Sequence, residues 1–254
     1  MGRILAVVNQ KGGVGKTTTA VNLAAALTDL GLRVLVCDFD PQANATSGLG
    51  VDKRKTKAST YDMIINDVPA ENAVVHTKFA DVLPSSADLA GAGVELIDET
   101  GREQKLKKAL APLRDSYDVI FIDCPPSLEL LTLNGLCACD GILIPVQCEY
   151  YALEGLSDLM ATMRAVKRKL NPTLEIFGVI LTMYDGRTNF SAQVAQEVRR
   201  HFPGKVFAEA IPRNVRLAEA PSHGVPIFAY DRSSRGAESY RRLGEETAKK
   251  LRRG

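Results

Sequence analysis

No apolar run in this sequence approaches the length that a membrane-crossing helix needs, so a spanning role is not expected. Met1-Gly2-Arg3 leads straight into an apolar stretch, which leaves no room for a signal peptide. Ala6 stands where an N-myristoylation pattern asks for Ser or Thr. The five cysteines, Cys37, Cys124, Cys137, Cys139 and Cys148, are odd in number and contain no C-x-x-C pair. They read as reduced thiols in the core of a cytosolic protein. A metal or cluster role for Cys137 and Cys139 is disfavoured, because their segment reads as a buried helix. No internal repeat, low-complexity tract, linker or helix-turn-helix pattern is evident.

What is present suits one large α/β domain over residues 1–254. Apolar residues make up 45% and charged residues 24% of the 254, enough for a sizeable core and an ordinary soluble surface. Net charge is only +2, but it is unevenly placed. Residues 187–216 carry six Lys/Arg against two Asp/Glu, and residues 231–254 carry eight against four. Two late basic segments suggest an anionic partner, although solvated helix faces give the same composition.

The chain is organised around Lys11-Gly12-Gly13-Val14-Gly15-Lys16-Thr17-Thr18. The run Ile4 to Val8 before it reads as a buried strand, and Ala20 to Leu27 after it reads as a helix. A strand, a glycine-rich loop and Gly-Lys-Thr opening a helix make a phosphate-binding loop. Glycines let successive N–H groups face a polyphosphate, and the helix start adds unpaired N–H groups and a positive dipole end. Lys16 is expected to reach the β- and γ-phosphates, and the Thr17 hydroxyl to ligate Mg²⁺. The loop departs from G-x-x-x-x-G-K-[ST], because Gln10 occupies the first glycine position and a second lysine, Lys11, precedes the glycines.

Arg33 to Asp38 reads as a second buried strand, with Asp38 and Asp40 exposed at its carboxyl end by Pro41, beside the phosphate loop. A short helix is expected from Thr60 to Asn66, a strand at Asp81 to Ser85 and a helix from Glu99 to Leu113. The basic run Lys53-Arg54-Lys55-Thr56-Lys57 lies between them. Asp118 to Asp123 is a strong strand, and Asp123 reads as a Walker B carboxylate holding Mg²⁺ through water. Further strands are expected at Gly141 to Val146 and Ile176 to Thr182. Helices are expected from Tyr151 to Leu170, from Ala192 to Phe202 capped by Ser191, and from Ser233 to Arg253 with Tyr240 and Leu243 inward. Val206-Phe207 and Ile211 should be extended. Strands alternating with helices predict a mostly parallel twisted sheet covered on both faces, the P-loop NTPase class.

The K-G-G-x-G-K-T-T form is the deviant Walker A loop, and the chain resembles the ParA/MinD group of P-loop ATPases. Within it the chain is similar to the chromosomal ParA (Soj) subfamily. The likeness rests on Lys11 to Thr18, Asp38 to Asn44, Ile122 to Ser127, Met183 to Thr188, Ile211 to Asn214 and Glu219 to Gly224. It covers essentially the whole chain in order. The resemblance implies a weak Mg²⁺-dependent ATPase that forms a sandwich dimer with ATP. It also implies a dimer that binds double-stranded DNA without sequence preference and hydrolyses faster when stimulated by a ParB-like partner. Such a protein would be cytoplasmic and nucleoid-associated.

By position, the resemblance makes Lys11 the signature lysine that reaches the partner subunit's nucleotide and Asp40 the group that orients the attacking water. Lys11, Lys16 and Asp40 are thus the catalytic candidates, and Thr17, Asp38 and Asp123 the metal candidates. The nucleotide would sit on Lys11, Gly12, Gly13, Val14, Gly15, Lys16, Thr17 and Thr18, with Met183, Pro212, Arg213 and Asn214 near the adenine. For DNA the candidates are Arg187, Arg199, Arg200, Arg216, Arg235, Arg241 and Arg242, with Arg232 and Arg213 also in the basic segments.

Rival readings differ in testable ways. A MinD-like ATPase would end in an apolar membrane-targeting helix, but Lys249-Lys250-Leu251-Arg252-Arg253-Gly254 offers one leucine. A nitrogenase-reductase-like protein would need paired cysteines that this pattern lacks. Plasmid-type relatives with an N-terminal DNA-reading domain do not match the immediate start. A ParA-like ATPase that positions another cargo would share every motif.

Overall fold

The structure, a computed structural model, describes residues 2–149 and 154–253. Six apolar runs become β1 (Arg3–Val7), β2 (Val34–Asp38), β3 (Asp81–Leu83), β4 (Val119–Asp123), β5 (Gly141–Gln147) and β6 (Glu175–Thr182). They form one all-parallel sheet in the order β3-β2-β4-β1-β5-β6. Nearly every residue of β1, β2 and β4 is buried, as expected of parallel strands covered on both faces.

The α-helices are α1 (Lys16–Asp29), α2 (Asn44–Gly48), α3 (Thr60–Ile65), α4 (Ala70–Ala73), α5 (Ala92–Glu95), α6 (Lys105–Leu110), α7 (Leu130–Ala138), α8 (Glu154–Lys169), α9 (Asn189–His201), α10 (Val215–Glu219), α11 (Ile227–Tyr230) and α12 (Arg235–Arg253). Alternation along each strand divides the core in two. Ile4 and Ala6 of β1 join the layer under α3, α6, α7 and α9. Leu5 and Val7 join the layer under α1 and α12, where Tyr240 and Leu243 are buried as expected.

Register brings the chemistry together. Val7 pairs with Asp123, and Asp123 pairs with Asp38, so β1, β4 and β2 end level. The phosphate loop and both strand-ending aspartates therefore share the carboxyl edge of the sheet, where α/β folds place ligands.

Several local expectations are corrected. The helix expected from Glu99 to Leu113 is broken: tight turns at Arg102–Gln104 and Ala111–Leu113 flank α6. Gly101, with φ near +75°, and Pro112 disrupt the continuous ladder. Ser191 does not cap α9. Thr188 does, its hydroxyl accepting the Ser191 N–H at 3.3 Å, while Ser191 is buried in the first turn. The segment near Val206 and Pro212 makes only single bridges, to Val179 and Tyr184. Tyr151, the expected start of α8, lies outside the described residues; α8 is seen from Glu154.

Candidate functional site

The loop between β1 and α1 is held in shape by its neighbours. Asn9 donates to the Pro145 carbonyl at 2.8 Å and accepts the Lys11 N–H at 3.0 Å. The Thr182 hydroxyl donates to the Val14 carbonyl at 2.8 Å. Gly13 and Gly15 take φ of 74° and 89°, conformations that cost a side-chain-bearing residue about 1 kcal/mol or more. Lys16 is only 7% exposed, and its Nζ donates to the Lys11 carbonyl at 3.2 Å. Burial lowers its pKa, and Asp123 and Asp40 oppose that shift. A partly dehydrated ammonium at the centre of the loop is suited to an anion.

Three carboxylates face this lysine's surroundings in different states. Asp38 is fully buried, and its Oδ2 accepts both the Thr46 N–H and the Thr46 hydroxyl at 2.7 Å. Its Oδ1 accepts the Asp40 N–H at 3.3 Å. Burial pushes the Asp38 carboxyl up to about 6 against these bonds. Asp40 is 8% exposed and accepts the Gln42 N–H at 3.0 Å.

Asp123 is also fully buried, yet neither carboxylate oxygen has a hydrogen-bond partner of normal geometry. Burial, then the Asp38 charge, raises its pKa well above the usual range, while the Thr17 hydroxyl opposes the rise. A buried carboxylate without a partner invites a proton or a cation. Thr17 and Asp123 together offer hard oxygen donors of the kind Mg²⁺ takes, alongside phosphate oxygens and water. Among the described residues no group of three or more His, Cys, Asp or Glu side chains forms a protein-only cage. The two expected metal carboxylates differ in their surroundings: Asp123 has no hydrogen-bond partner of normal geometry, whereas Asp38 accepts from Thr46 and Asp40.

Beside the loop lies a mainly apolar cavity of about 400 Å³. Met183, Pro212, Arg213 and Asn214 line it together with Gly15 and Thr18, so the sequence candidates for the base do converge. Met183 takes a left-handed φ of 51°, unusual for a residue with a side chain. Asn214 caps α10 through the Arg216 N–H at 2.8 Å. Tyr240 of α12 completes the lining and shares a 3.2 Å hydrogen bond with Thr19 of α1.

Lys11 does not point at its own loop. Its Nζ lies 3.2 Å from Glu149, which also lies 3.7 Å from Arg213.

The basic candidates do not all share one surface. Arg187, Arg235 and Arg242 line one cleft of about 550 Å³ with Arg213, which thereby borders both cavities. Arg187 is neutralised by Asp185 at 2.8 Å, and Arg242 contacts Glu238 and Glu209. Arg199, Arg200, Arg216 and Arg241 are exposed but do not line this cleft, and Arg216 pairs with Glu219 at 2.9 Å. Sequence reasoning missed Asn9, Thr46, Glu149, Thr182 and Tyr240. A buried tyrosine hydroxyl needs a partner, which was the only signal for Tyr240; the others carry no motif.

The AAA domain family matches residues 2–176. The sporulation initiation inhibitor protein Soj of Bacillus subtilis is 54% identical over 250 residues, 98% of this chain and 99% of that protein. The chromosome partitioning protein ParA of Myxococcus xanthus is 52% identical over 252 residues, 98% of this chain and 89% of that protein. Among solved structures, cobyrinic acid a,c-diamide synthase from Mycobacterium smegmatis with bound ADP and magnesium has a TM-score of 0.87 at 40% identity, covering 99% of this chain and 96% of that one. The Pyrococcus furiosus cell division ATPase MinD has a TM-score of 0.80 at 30% identity, covering 98% and 99%.

Proposed function

This chain belongs to the ParA/Soj family of chromosome-partitioning ATPases, and from that membership we propose how its residues divide the work. ATP is held by the loop Lys11 to Thr18, with its base in the cavity walled by Met183, Pro212, Arg213, Asn214 and Tyr240. Thr17, and Asp123 through water, would hold Mg²⁺, which would supply charge neutralisation at the phosphates. Lys16 gives up its bond to the Lys11 carbonyl for the phosphates. Asp40 orients the attacking water, and Asp38, held by Thr46, positions the Asp40 backbone. Phosphoryl transfer is mostly positioning and charge neutralisation, which is what this set supplies. The observation that carries this reading is the bare Asp123 carboxylate, buried with the Thr17 hydroxyl bearing on it beneath the phosphate loop.

In the proposed cycle the chain is a monomer without nucleotide and a two-fold dimer with ATP. Lys11 then leaves Glu149 for the partner subunit's nucleotide, offsetting the repulsion between two facing triphosphates. The dimer binds duplex DNA through phosphates, using the arginine cleft and its neighbours, and two weak patches on one body give higher apparent affinity. A ParB-like partner stimulates hydrolysis, and the protein is cytoplasmic and associated with the nucleoid. Among the described residues no helix is long and apolar enough to cross a membrane, and no membrane partner is proposed.

The test is steady-state phosphate release with Mg²⁺-ATP, alone and with nonspecific DNA plus a ParB-like protein. Slow release that rises with both additions supports the proposal. Hydrolysis indifferent to either addition would contradict the partition role.

A further inference from the structure

Beside β3, at one edge of the sheet, a cleft of about 490 Å³ opens between the segments 50–58 and 72–77. The phosphate loop follows β1, in the middle of the sheet, and the arginine cleft begins with Tyr184, just after β6 at the opposite edge. The cleft beside β3 belongs to neither.

Local bonds order both of its walls. On one side the Asp52 carboxylate accepts the Arg54 N–H at 3.1 Å and the Asp52 carbonyl accepts the Lys55 N–H at 2.9 Å, closing a turn within the basic run. On the other, Val75 pairs antiparallel with Val82, each N–H donating to the other's carbonyl at 2.8 and 2.9 Å. That register sets His76 beside Asp81, and His76 Nδ1 lies 2.9 Å from Asp81 Oδ2. The same oxygen accepts the Tyr117 hydroxyl at 2.8 Å. The His76 ring is exposed and lines the cleft. With Nδ1 engaged, Nε2 is the nitrogen left for a ligand, an acceptor when the ring is neutral and a donor when it is protonated.

The charged and titratable members of the lining are Lys55, Lys57 and His76 against Asp52. Asp52 is answered by Arg54 at 3.2 Å and Lys55 at 3.6 Å, and the run 52–57 holds four cations to this one carboxylate. Half-buried Val51, Ala58, Val74 and Val75 supply apolar wall. A concave site of this size, with apolar walls and a few placed polar groups, suits a small molecule. Paired lysines suit a phosphate. The apolar walls have no counterpart on the phosphate face of a duplex, which favours a compact ligand over nucleic acid.

We propose that this cleft is a second ligand site, separate from that of ATP, for a small phosphate ester. Lys55 and Lys57 take the phosphate, His76 Nε2 a polar edge, and the valines an apolar body.

The chain has three histidines, His76, His201 and His223, so their ring resonances report on the cleft directly. The experiment titrates phenyl phosphate into protein saturated with Mg²⁺-ADP, which keeps the phosphate loop filled. The His76 resonance is assigned from its loss in His76→Gln. It should move to saturation while those of His201 and His223 stay in place. Lys55→Ala with Lys57→Ala should weaken binding at least about tenfold, and inorganic phosphate should bind wild type at least about tenfold more weakly than the ester. Neither lysine serves hydrolysis, so basal ATP turnover and thermal unfolding of the double variant should match wild type. Lys53, whose Nζ donates to the Gln42 carbonyl at 3.1 Å near Asp40, is left unchanged. A still His76 resonance, equal movement of all three histidines, or wild-type affinity in the double variant would overturn the proposal. Inorganic phosphate binding as tightly as the ester, or a short nonspecific duplex displacing the ester from His76, would overturn it too.

Discussion

The Thr46 hydroxyl donates to Asp38 Oδ2 at 2.7 Å and accepts the Ser85 N–H at 3.0 Å, so it ties the end of β3 to the carboxylate that holds the Asp40 backbone. Thr46 is fully buried, and no motif marks it. Thr46→Val keeps the shape and removes the hydroxyl. It should lower kcat by roughly 10–100-fold, the usual cost of removing a supporting bond, with ATP affinity little changed. Thr46→Ser should restore most of the rate. Equal kcat for valine and wild type would show that the tie does not matter to turnover.

Asp38 and Asp123 make stability depend on pH in an unusual direction. In the metal- and nucleotide-free protein the folded Asp38 carboxyl sits at about 6, against about 3.9 when unfolded. The folded state therefore holds more protons than the unfolded state between these values. Stability from this group is greatest below about pH 4 and declines up to about pH 6, and Asp123, raised further, extends the decline upward. Asp123→Asn removes the bare buried charge and should raise Tm relative to wild type at neutral pH in EDTA, with the gap closing on acidification. Calorimetry across pH checks this; a lower Tm for the variant at neutral pH would show that the carboxylate is satisfied in the fold.

Gly12 is exposed, and a Cβ there would meet only the Pro126 Cβ at 3.9 Å. Among the described residues that Cβ makes only this ordinary van der Waals contact. Gly12→Val should therefore fold and bind ATP like wild type while failing to dimerise, its methyls meeting the second copy where the two backbones approach. Light scattering with and without ATP measures this. An ATP-dependent dimer of normal strength would place the interface elsewhere.

All five cysteines are buried, and burial raises each thiol above its ordinary pKa. Native protein at mild alkaline pH should react slowly with a thiol-selective reagent and expose all five groups on denaturation. Rapid native labelling at any position would contradict the core reading.

Much of the fold was legible because parallel strands buried on both faces are written as continuous apolar runs. Ile4 to Val8, Asp118 to Asp123 and Gly141 to Val146 fall within a residue or two of β1, β4 and β5. The phosphate loop was legible because its glycines and lysine are contiguous. What failed was short-range: Thr188 outcompeted Ser191 as the cap of α9, and Pro112 broke a pattern that leucine spacing alone made helical. Long-range partners were hidden altogether. Thr46 reaches Asp38 across eight residues, Tyr240 meets Thr19 across 221, and periodicity records neither.

The central claim is that ATP turns this chain into a nonspecific DNA binder. The direct measurement is a titration of two unrelated duplexes against Asp40→Ala, the variant expected to hold ATP without releasing phosphate, with ATP and with ADP at several salt concentrations. Both duplexes should bind alike, more tightly with ATP, and more weakly as salt rises. Changing Arg235 with Arg242, or Arg199 with Arg200, to Glu should weaken binding and reduce the log–log salt slope by about 0.9 for each DNA phosphate left without its arginine. Binding that is flat with salt, equal in ADP and ATP, or unmoved by either arginine pair would contradict the account.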